Sequence, residues 1–295
     1  MEPSRRLRIV HLFPDVLRFY GDGGNVRSLV NRAEARGFEA SVTPVDVGTD
    51  RFPTADLIFI GGGQDREQVT VARELERLGS SLLDQVTDGA ALLAVCGGYQ
   101  NLGTTYRTSL GVDLACLGLF PIATDATGVE RRLVGHVLAR LDPALATMGA
   151  GPLANSPTML PDPTVIGFEN HGGRTVLAPG ARSFATVELG HGNNGLDATE
   201  GALLLPGDGG IGGLRIGTYL HGPLLPRNPH VADALIAAAV ARGGPVATLR
   251  PLDDELEWAA HRVGVERMRR IVREDRRIPQ WAHRIVDPVR ALIGY

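Results

Sequence analysis

Residues 90–98 read AALLAVCGG. An apolar run without alternation is typical of a strand that is covered on both faces of a sheet. The strand predicted over Ala90–Val95 stops at Cys96, and the two glycines that follow allow a sharp turn into a helix. Such a turn places one side chain at the carboxyl edge of a parallel sheet, where α/β proteins bind their ligands. Cys96 is therefore the first candidate for a chemical role.

Short apolar strands and amphipathic helices alternate on both sides of this stretch. The predicted strands are Leu7–Phe13, Ala40–Val47, Asp56–Ile60 and Leu214–Leu220. The predicted helices are Val26–Arg36, Glu67–Leu78 and Pro229–Arg242. This alternation predicts βαβ units, hence a three-layer α/β fold with a mostly parallel sheet. Short strands among Gly, Pro and Asn from about Leu133 to Leu205 predict hairpins or a mixed extension of that sheet.

The chain divides by composition into residues 1–245, the predicted catalytic domain, and residues 246–295, a helical extension rich in arginine. Helical character is predicted over Asp253–Asp275. The arginines between Arg262 and Arg290 could lie on an anionic membrane. The alternative, a solvated or partner-facing helix, is the more ordinary arrangement.

Composition excludes several classes of protein. The net charge of −3 and the pI of about 6.2 give no basic surface for nucleic acid. Only 2 cysteines are present, so no disulfide framework is expected. We find neither a signal peptide nor an apolar run of roughly 18 residues, so a cytoplasmic location is predicted. No Cys/His pair has zinc-ligand spacing, and neither metal nor cofactor is predicted.

All 30 basic residues are arginine. The absence of lysine excludes a Walker phosphate loop and a Schiff-base lysine. If the reaction pathway consumes ATP, a separate protein should bind it.

A thiol nucleophile needs a base. His221 follows the predicted strand Leu214–Leu220, which places it at the same sheet edge as Cys96. His171, within GFENHGG (Gly167–Gly173), is the alternative base. Cys116 lacks the strand–turn–helix context and is expected to be structural.

An acyl-transfer reaction also needs donors for the oxyanion of its tetrahedral intermediate. The backbone N–H of Gly97 follows the nucleophile directly, and Gly61–Gly63 ends a neighbouring strand. We predict Gly97 and Gly62 as the two donors, each worth roughly 3 kcal/mol in comparable sites.

Several motifs in this order resemble the cobyric-acid-synthase-type class I glutamine amidotransferases. They include YGDGGN (Tyr20–Asn25), CGGYQ (Cys96–Gln100), GFENHGGRT (Gly167–Thr175) and GTYLHGP (Gly217–Pro223). Within that group the motifs are most similar to those of GatD, the glutaminase subunits of lipid II isoglutaminyl synthases. The resemblance covers about residues 7–242 and implies the class I glutamine amidotransferase fold.

The resemblance implies an enzyme that releases ammonia from L-glutamine. Cys96 would be the nucleophile, His221 the base, and Arg132 the residue that binds the substrate carboxylate. The partner would be a MurT-like Mur ligase in a heterodimer. That ligase would bind lipid II at the inner face of the membrane and amidate the α-carboxyl of its D-glutamate. Alternatives are a glutaminase for another acceptor, such as a corrinoid, and a non-catalytic scaffold.

One position departs from the wider class. Many class I glutaminases carry H-x-E, in which the glutamate orients the histidine, whereas Pro223 stands two residues after His221. The resemblance implies that an aspartate of the Mur-ligase partner fills this role. We therefore expect weak glutaminase activity from the chain alone.

Overall fold

The computed structural model describes residues 6–17, 21–63, 65–147, 163–210, 212–242, 244 and 247–275. The strands are β1 (Arg6–Leu12), β2 (Glu39–Val45), β3 (Leu57–Ile60), β4 (Ala91–Val95), β5 (Thr105–Arg107), β6 (Asp113–Leu114), β7 (Ile122–Asp125), β8 (Leu133–Leu141), β9 (Thr164–His171), β10 (Arg174–Leu177), β11 (Ala185–Leu189), β12 (Thr199–Glu200), β13 (Ala202–Leu204) and β14 (Arg215–Thr218). The helices are α1 (Gly23–Glu34), α2 (Asp65–Thr87), α3 (Gly97–Asn101), α4 (Pro143–Thr147), α5 (Leu224–Arg227), α6 (Pro229–Ala241) and α7 (Glu255–Asp275).

A six-stranded sheet in the order β13-β14-β4-β3-β1-β2 forms the centre of the molecule. All neighbouring strands are parallel except β13, which runs antiparallel to β14. The register aligns Thr218 with Val95, and Ile60 with Ala94. Leu12 aligns with Ile60. The chain therefore leaves β1, β3, β4 and β14 at one common edge.

Helices cover both faces of this sheet. The connections β1-α1-β2 and β3-α2-β4 run in opposite directions along the sheet, so right-handed crossovers place α1 and α2 on opposite faces. Helix α6 packs beside α1, and α3 packs beside α2. Every residue of β3 and β4 is buried, which explains their apolar sequences. The prediction of a three-layer α/β fold is confirmed.

Helix α2 extends beyond its predicted end at Leu78 and continues to Thr87. The predicted end at Leu78 is therefore wrong, because the helix runs on through Gly79. A Cβ built at Gly79 would lie 2.6 Å from Leu117 Cδ2, so the glycine admits a close contact rather than ending the helix. Leu82 and Val86 remain fully buried beyond it and continue the apolar face.

Of the strands between Leu133 and Leu205, β13 extends the central sheet as an antiparallel edge strand, and the others lie in two separate four-stranded sheets, β10-β7-β5-β6 and β12-β11-β8-β9. Strands β5, β6 and β7 precede the predicted range. Strands β8 and β9 form a long antiparallel pair that aligns Leu133 with His171. Phe168 of β9 also forms an antiparallel bridge with His221. The extension therefore joins the central sheet where the predicted base lies.

The C-terminal extension is helical over Glu255–Asp275, as predicted, and this helix packs on β8, β9 and β11. Val265 and Met268 form a small second core with Leu138 and Ile166. The division of the chain at residue 245 stays a prediction. Residues 276–295, which include Arg290, the last of the arginines considered for membrane contact, lie outside the described residues.

Within the described ranges, no helix has the length and apolar character that crossing a membrane requires. The same part of the chain holds no group of three or more His, Cys, Asp or Glu side chains that could bind a metal ion.

Candidate active site

Cys96 lies in a strained turn between β4 and α3. Its backbone has φ 49° and ψ −106°, a left-handed conformation that L residues rarely adopt. Its amide donates to Thr218 O over 2.8 Å, and the Gly98 amide donates to Gly61 O over 3.1 Å. Strands β14 and β3 thus hold the turn from both sides, as expected for a nucleophile elbow.

His221 follows β14 and is 1% exposed. Its amide donates to Phe168 O over 2.7 Å, and its carbonyl accepts the Phe168 amide over 3.2 Å. Burial alone would lower the pKa of His221, but the Cys96 thiolate and the Asp22 carboxylate outweigh it and raise the pKa to about 10. Such an imidazole readily takes a proton from a neighbouring thiol.

Asp22, which the sequence analysis did not identify, lies directly before α1 at the same sheet edge. Its carboxylate is fully buried and lies 3.3 Å from His221 Nδ1. It also accepts the Gly62 amide over 2.9 Å. The sequence analysis used the segment Tyr20–Asn25 only as a family motif and gave Asp22 no role. The available signal for Asp22 was its place after a predicted parallel strand, since acids in such loops lie at the ligand-binding edge of the sheet.

Gly62 is the point at which these groups converge. A Cβ built there would lie 2.6 Å from His221 Cε1, 3.2 Å from Cys96 Cβ and 3.4 Å from Asp22 Oδ2. Only a residue without a side chain fits between them. The two residues predicted for catalysis, Cys96 and His221, are therefore brought together.

The two predicted oxyanion donors differ in their surroundings. The Gly62 amide donates to Asp22, so in this arrangement it is already engaged. Gly97 lies at the start of α3, and a Cβ built on it would lie 3.3 Å from the amide nitrogen of Gly63. The Gly63 nitrogen is thus the backbone atom nearest to that position.

Arg132 lies at the start of the β8–β9 hairpin with its side chain exposed. Its Nε donates to Asn170 Oδ1 over 2.7 Å, and its Nη2 donates to Asn170 O over 2.8 Å. A Cβ built on Gly172 would lie 3.6 Å from Arg132 Nη1. These contacts fix the guanidinium beside the strand that reaches His221 through Phe168.

His171, the alternative base, is buried in a different arrangement. Its Nδ1 donates to Gly173 O over 2.9 Å, since a carbonyl only accepts. Its ring stacks on Tyr219 with centroids 3.6 Å apart and planes at 9°. Burial lowers its pKa, despite the nearby Glu169. His171 therefore packs against Tyr219, which lies two residues before His221, and supports it.

Glu200 is a further buried acid that the sequence analysis missed. It accepts the Thr218 hydroxyl over 2.6 Å and the Tyr219 amide over 2.9 Å, and so holds the chain just before His221. Burial raises its pKa to about 7, although these hydrogen bonds oppose the shift.

Cys116 lies between β6 and β7, and its thiol lies 3.8 Å from Gln100 O of α3. Burial raises the pKa of its thiol to about 11. A thiol of this kind is a poor nucleophile at neutral pH.

Comparison with known proteins gives a consistent result. Residues 8–229 match the family model of the CobB/CobQ-like glutamine amidotransferase domain. The chain is 35% identical to the lipid II isoglutaminyl synthase (glutamine-hydrolyzing) subunit GatD of Staphylococcus aureus (strain N315), over 90% of this chain and 97% of that protein. The corresponding subunit of Streptococcus pneumoniae (strain ATCC BAA-255 / R6) is 30% identical over 80% of this chain and 82% of that protein.

A more distant similarity links the chain to larger enzymes. The cobyric acid synthase of Sphingopyxis alaskensis is 33% identical over 50% of this chain but only 24% of its own length. The range matched by the family model contains Asp22, Cys96 and His221. The chain therefore belongs to the CobB/CobQ-like glutamine amidotransferase family, which confirms the enzyme class that its motifs predicted.

Proposed function

We propose that the chain hydrolyses L-glutamine through a thioester on Cys96 and supplies the ammonia to an ATP-dependent ligase. The observation that carries this proposal is the convergence of Cys96, His221 and Asp22 around Gly62. It combines a strained elbow with a buried histidine whose pKa is raised above its ordinary range. A nucleophile, its base and a carboxylate in contact form the set used for acyl transfer.

The proposed reaction has two halves. Cys96 Sγ forms a bond to the side-chain amide carbon of glutamine, while His221 takes the thiol proton. His221 passes this proton to the amide nitrogen, the C–N bond breaks, and ammonia leaves. Water, with His221 as base, then attacks the thioester, which releases glutamate and restores the thiol.

Backbone amides would stabilise the oxyanion of both tetrahedral intermediates. Gly97 and Gly62 remain our proposed donors. A Gly62 donor requires its amide to leave Asp22, whereas the Gly63 amide lies beside Gly97 without such a requirement. Each donor would be worth roughly 3 kcal/mol.

Arg132 is our proposed ligand for the α-carboxylate of glutamine. A guanidinium can bind a carboxylate with two parallel hydrogen bonds. Asn170 already holds Nε and Nη2, which fixes the plane of the group and leaves Nη1 facing Gly172.

We propose that the ammonia is used to amidate the D-glutamate α-carboxyl of lipid II, by a MurT-type ligase that forms a heterodimer with this chain. The names of the staphylococcal and streptococcal relatives support this acceptor. The absence of lysine supports the assignment of ATP chemistry to a separate subunit. The complex would work in the cytoplasm, at the inner membrane face where its acceptor lies.

Two alternatives remain to be compared with this proposal. A corrinoid acceptor is favoured by the similarity to cobyric acid synthase, but the aligned part covers only 24% of that enzyme. A scaffold without catalysis is the other alternative, and it gives no reason for the strain at Cys96.

The test is glutamate release from glutamine by the wild type and by Cys96→Ala, each with and without the Mur-ligase-like partner. We expect Cys96→Ala to lower the rate of glutamate release by at least about 10³-fold, because removing the nucleophile of an enzyme has an effect of at least this size. Cys116→Ala is the matched control and should leave the rate unchanged. A Cys96→Ala variant as active as the wild type would disprove the nucleophile assignment, and an inactive wild type in both states would favour the scaffold.

A further inference from the structure

We propose that Arg174 is a positioning residue for glutamine binding, because it ties the turn after β9 to the segment that carries Arg132. This inference deepens the proposed glutaminase reaction and rests on it. The Arg174 Nη1 donates to Gly172 O over 2.8 Å, and its Nη2 donates to Arg131 O over 2.8 Å. One guanidinium therefore holds two segments together, although Arg174 and Arg131 lie 43 positions apart in sequence.

Arg132 makes a second bridge between the same two segments. It lies before β8, and its Nε and Nη2 donate to the side chain and the backbone carbonyl of Asn170 in β9. Arg174 begins β10 and reaches back to the segment before β8. The two bridges thus run in opposite directions. Removing Arg174 takes away one of them, and the guanidinium of Arg132 then has more freedom to move.

The turn between β9 and β10 is closely packed on both sides. A Cβ built on Gly173 would lie 2.6 Å from Gln100 Nε2 of α3, the helix that follows Cys96. A Cβ built on Gly172 would lie 3.6 Å from Arg132 Nη1. The turn therefore lies between the proposed carboxylate ligand and the helix that follows the nucleophile. Its conformation sets the distance between the two ends of the proposed glutamine site.

Both carbonyl groups of this turn accept a side-chain hydrogen bond. Gly172 O accepts from Arg174, and Gly173 O accepts from His171 Nδ1. The peptide plane that contains Gly172 O also contains the Gly173 N–H, since a peptide unit is planar. The bond from Arg174 therefore sets the direction of that amide. It also restricts two glycines that would otherwise adopt many backbone conformations.

The fork of the guanidinium explains why this position needs arginine. Burial lowers the pKa of Arg174, although Tyr219 and the carboxylate of Glu169 oppose the shift. An arginine nevertheless stays charged at any pH at which an enzyme works. Lysine would keep the charge but not the two fixed directions of the fork. Replacement by lysine therefore separates the effect of the charge from that of the two directed bonds.

The first experiment measures kcat and KM for glutamate release by the full-length wild type, Arg174→Lys and Arg174→Met, each with the Mur-ligase-like partner. We expect KM for glutamine to rise about tenfold in both variants, because two hydrogen bonds from a charged group are lost or misdirected. We expect kcat to stay within about threefold, because the turn would contact the substrate away from the bond that breaks.

The matched controls are Arg182→Lys and Arg182→Met, which make the same changes at an exposed arginine paired with Asp142. Both constants should stay within about twofold of the wild type in these controls. An unchanged KM in both Arg174 variants would overturn the inference, as would a loss confined to kcat. An Arg174→Lys variant that behaves like the wild type would also overturn it, because the charge alone would then be sufficient.

A second pair of measurements separates glutamine binding from the integrity of the site. Isothermal titration calorimetry of Cys96→Ala with L-glutamine should give a Kd that rises about tenfold when Arg174→Lys is added. In a Cys116→Ala background, the rate at which iodoacetamide alkylates Cys96 should stay within about twofold, since this small reagent does not need the turn. A large change in that rate would indicate a general disturbance of the elbow and would overturn the positioning role.

The two proposals fail in different ways. If the wild type shows no Cys96-dependent glutaminase activity, the glutaminase proposal fails, and calorimetry alone decides the role of Arg174. If Cys96→Ala binds no glutamine, or binds it equally well with and without Arg174→Lys, the positioning role is disproved even where the glutaminase activity is present.

Discussion

Helix α1 has a buried ionic cluster at each end, and the two clusters are built differently. The active-site cluster at its start consists of Asp22, Gly62, Cys96 and His221, with a carboxylate–imidazole contact of 3.3 Å. The arginine cluster at its end consists of Arg32, Arg36, Asp233 and Asp254, with contacts of 2.6–2.7 Å. Both join segments about 200 residues apart in sequence.

The two clusters differ in the number and length of the hydrogen bonds that their charged groups make. Arg32 makes two bonds to Asp233 and two to Asp254, so its fork is matched by carboxylates on both sides. Burial alone would lower its pKa, but these carboxylates raise it above its ordinary value. Paired hydrogen bonds between a guanidinium and carboxylates fix the positions of both groups. The longer contact in the active-site cluster leaves an imidazole that can exchange protons, so one cluster serves stability and the other serves chemistry.

The largest effect is expected in the arginine cluster. Arg32→Met would remove the guanidinium that pairs with Asp254 and would leave Asp233 with Arg36 alone, so we expect the free energy of unfolding to fall by about 3 to 5 kcal/mol. Denaturant titration followed by circular dichroism measures this change. Arg77→Met, which breaks an exposed pair with Glu74, is the control and should cost at most about 1 kcal/mol. Equal effects of the two substitutions would contradict the distinction between the clusters.

The second effect concerns the active-site cluster. Gly62→Ala introduces a methyl group 2.6 Å from His221 Cε1, which must move the ring away from Cys96. A displacement of about 1 Å lowers the rate of such reactions by about 10²-fold. We expect this loss in kcat for glutamate release, with a smaller loss of stability than in Arg32→Met. Gly23→Ala is the control, because a Cβ there has no neighbour within 4 Å. If Gly62→Ala retained full activity, the site would not depend on this close packing.

The smallest effect, taken per pH unit, is a pH dependence beside the arginine cluster. His230, one turn before Asp233, stacks on Trp258, and burial with the nearby His261 and Arg32 lowers its pKa to about 3. Between its ordinary pKa of 6.5 and that value, the unfolded chain binds a proton that the folded chain does not. The free energy of unfolding should therefore decrease as the pH falls through this window, by about 1.4 kcal/mol per pH unit from this group.

Denaturant titrations at several pH values between 6.5 and 4 measure this slope. In His230→Gln the slope should be smaller by the same amount, because the carboxylates and His261 contribute equally to both proteins. An unchanged slope would show that His230 is not charged on unfolding in this range.

Much of the fold could be predicted because its signals are local. The runs DLIFI and ALLAV predict strands that are buried on both faces, and the glycines after Cys96 predict the elbow. The Asp22–His221 contact could not be predicted, because 199 residues separate its members and only the strand order brings them together. The engagement of the Gly62 amide by Asp22 was missed for the same reason. The end of α2 was also not predicted, because the helix continues past Leu78 and its Gly79 admits a close contact with Leu117, which is distant in sequence.

The backbone of Cys96 has a consequence for the evolution of the chain. A residue with a side chain in this conformation costs about 1 to 3 kcal/mol, and every folded molecule bears that cost whether or not glutamine is bound. Glycine would adopt the same angles without it. Selection for stability alone would thus favour glycine at position 96. The cysteine marks a trade-off between stability and activity that is located at one residue.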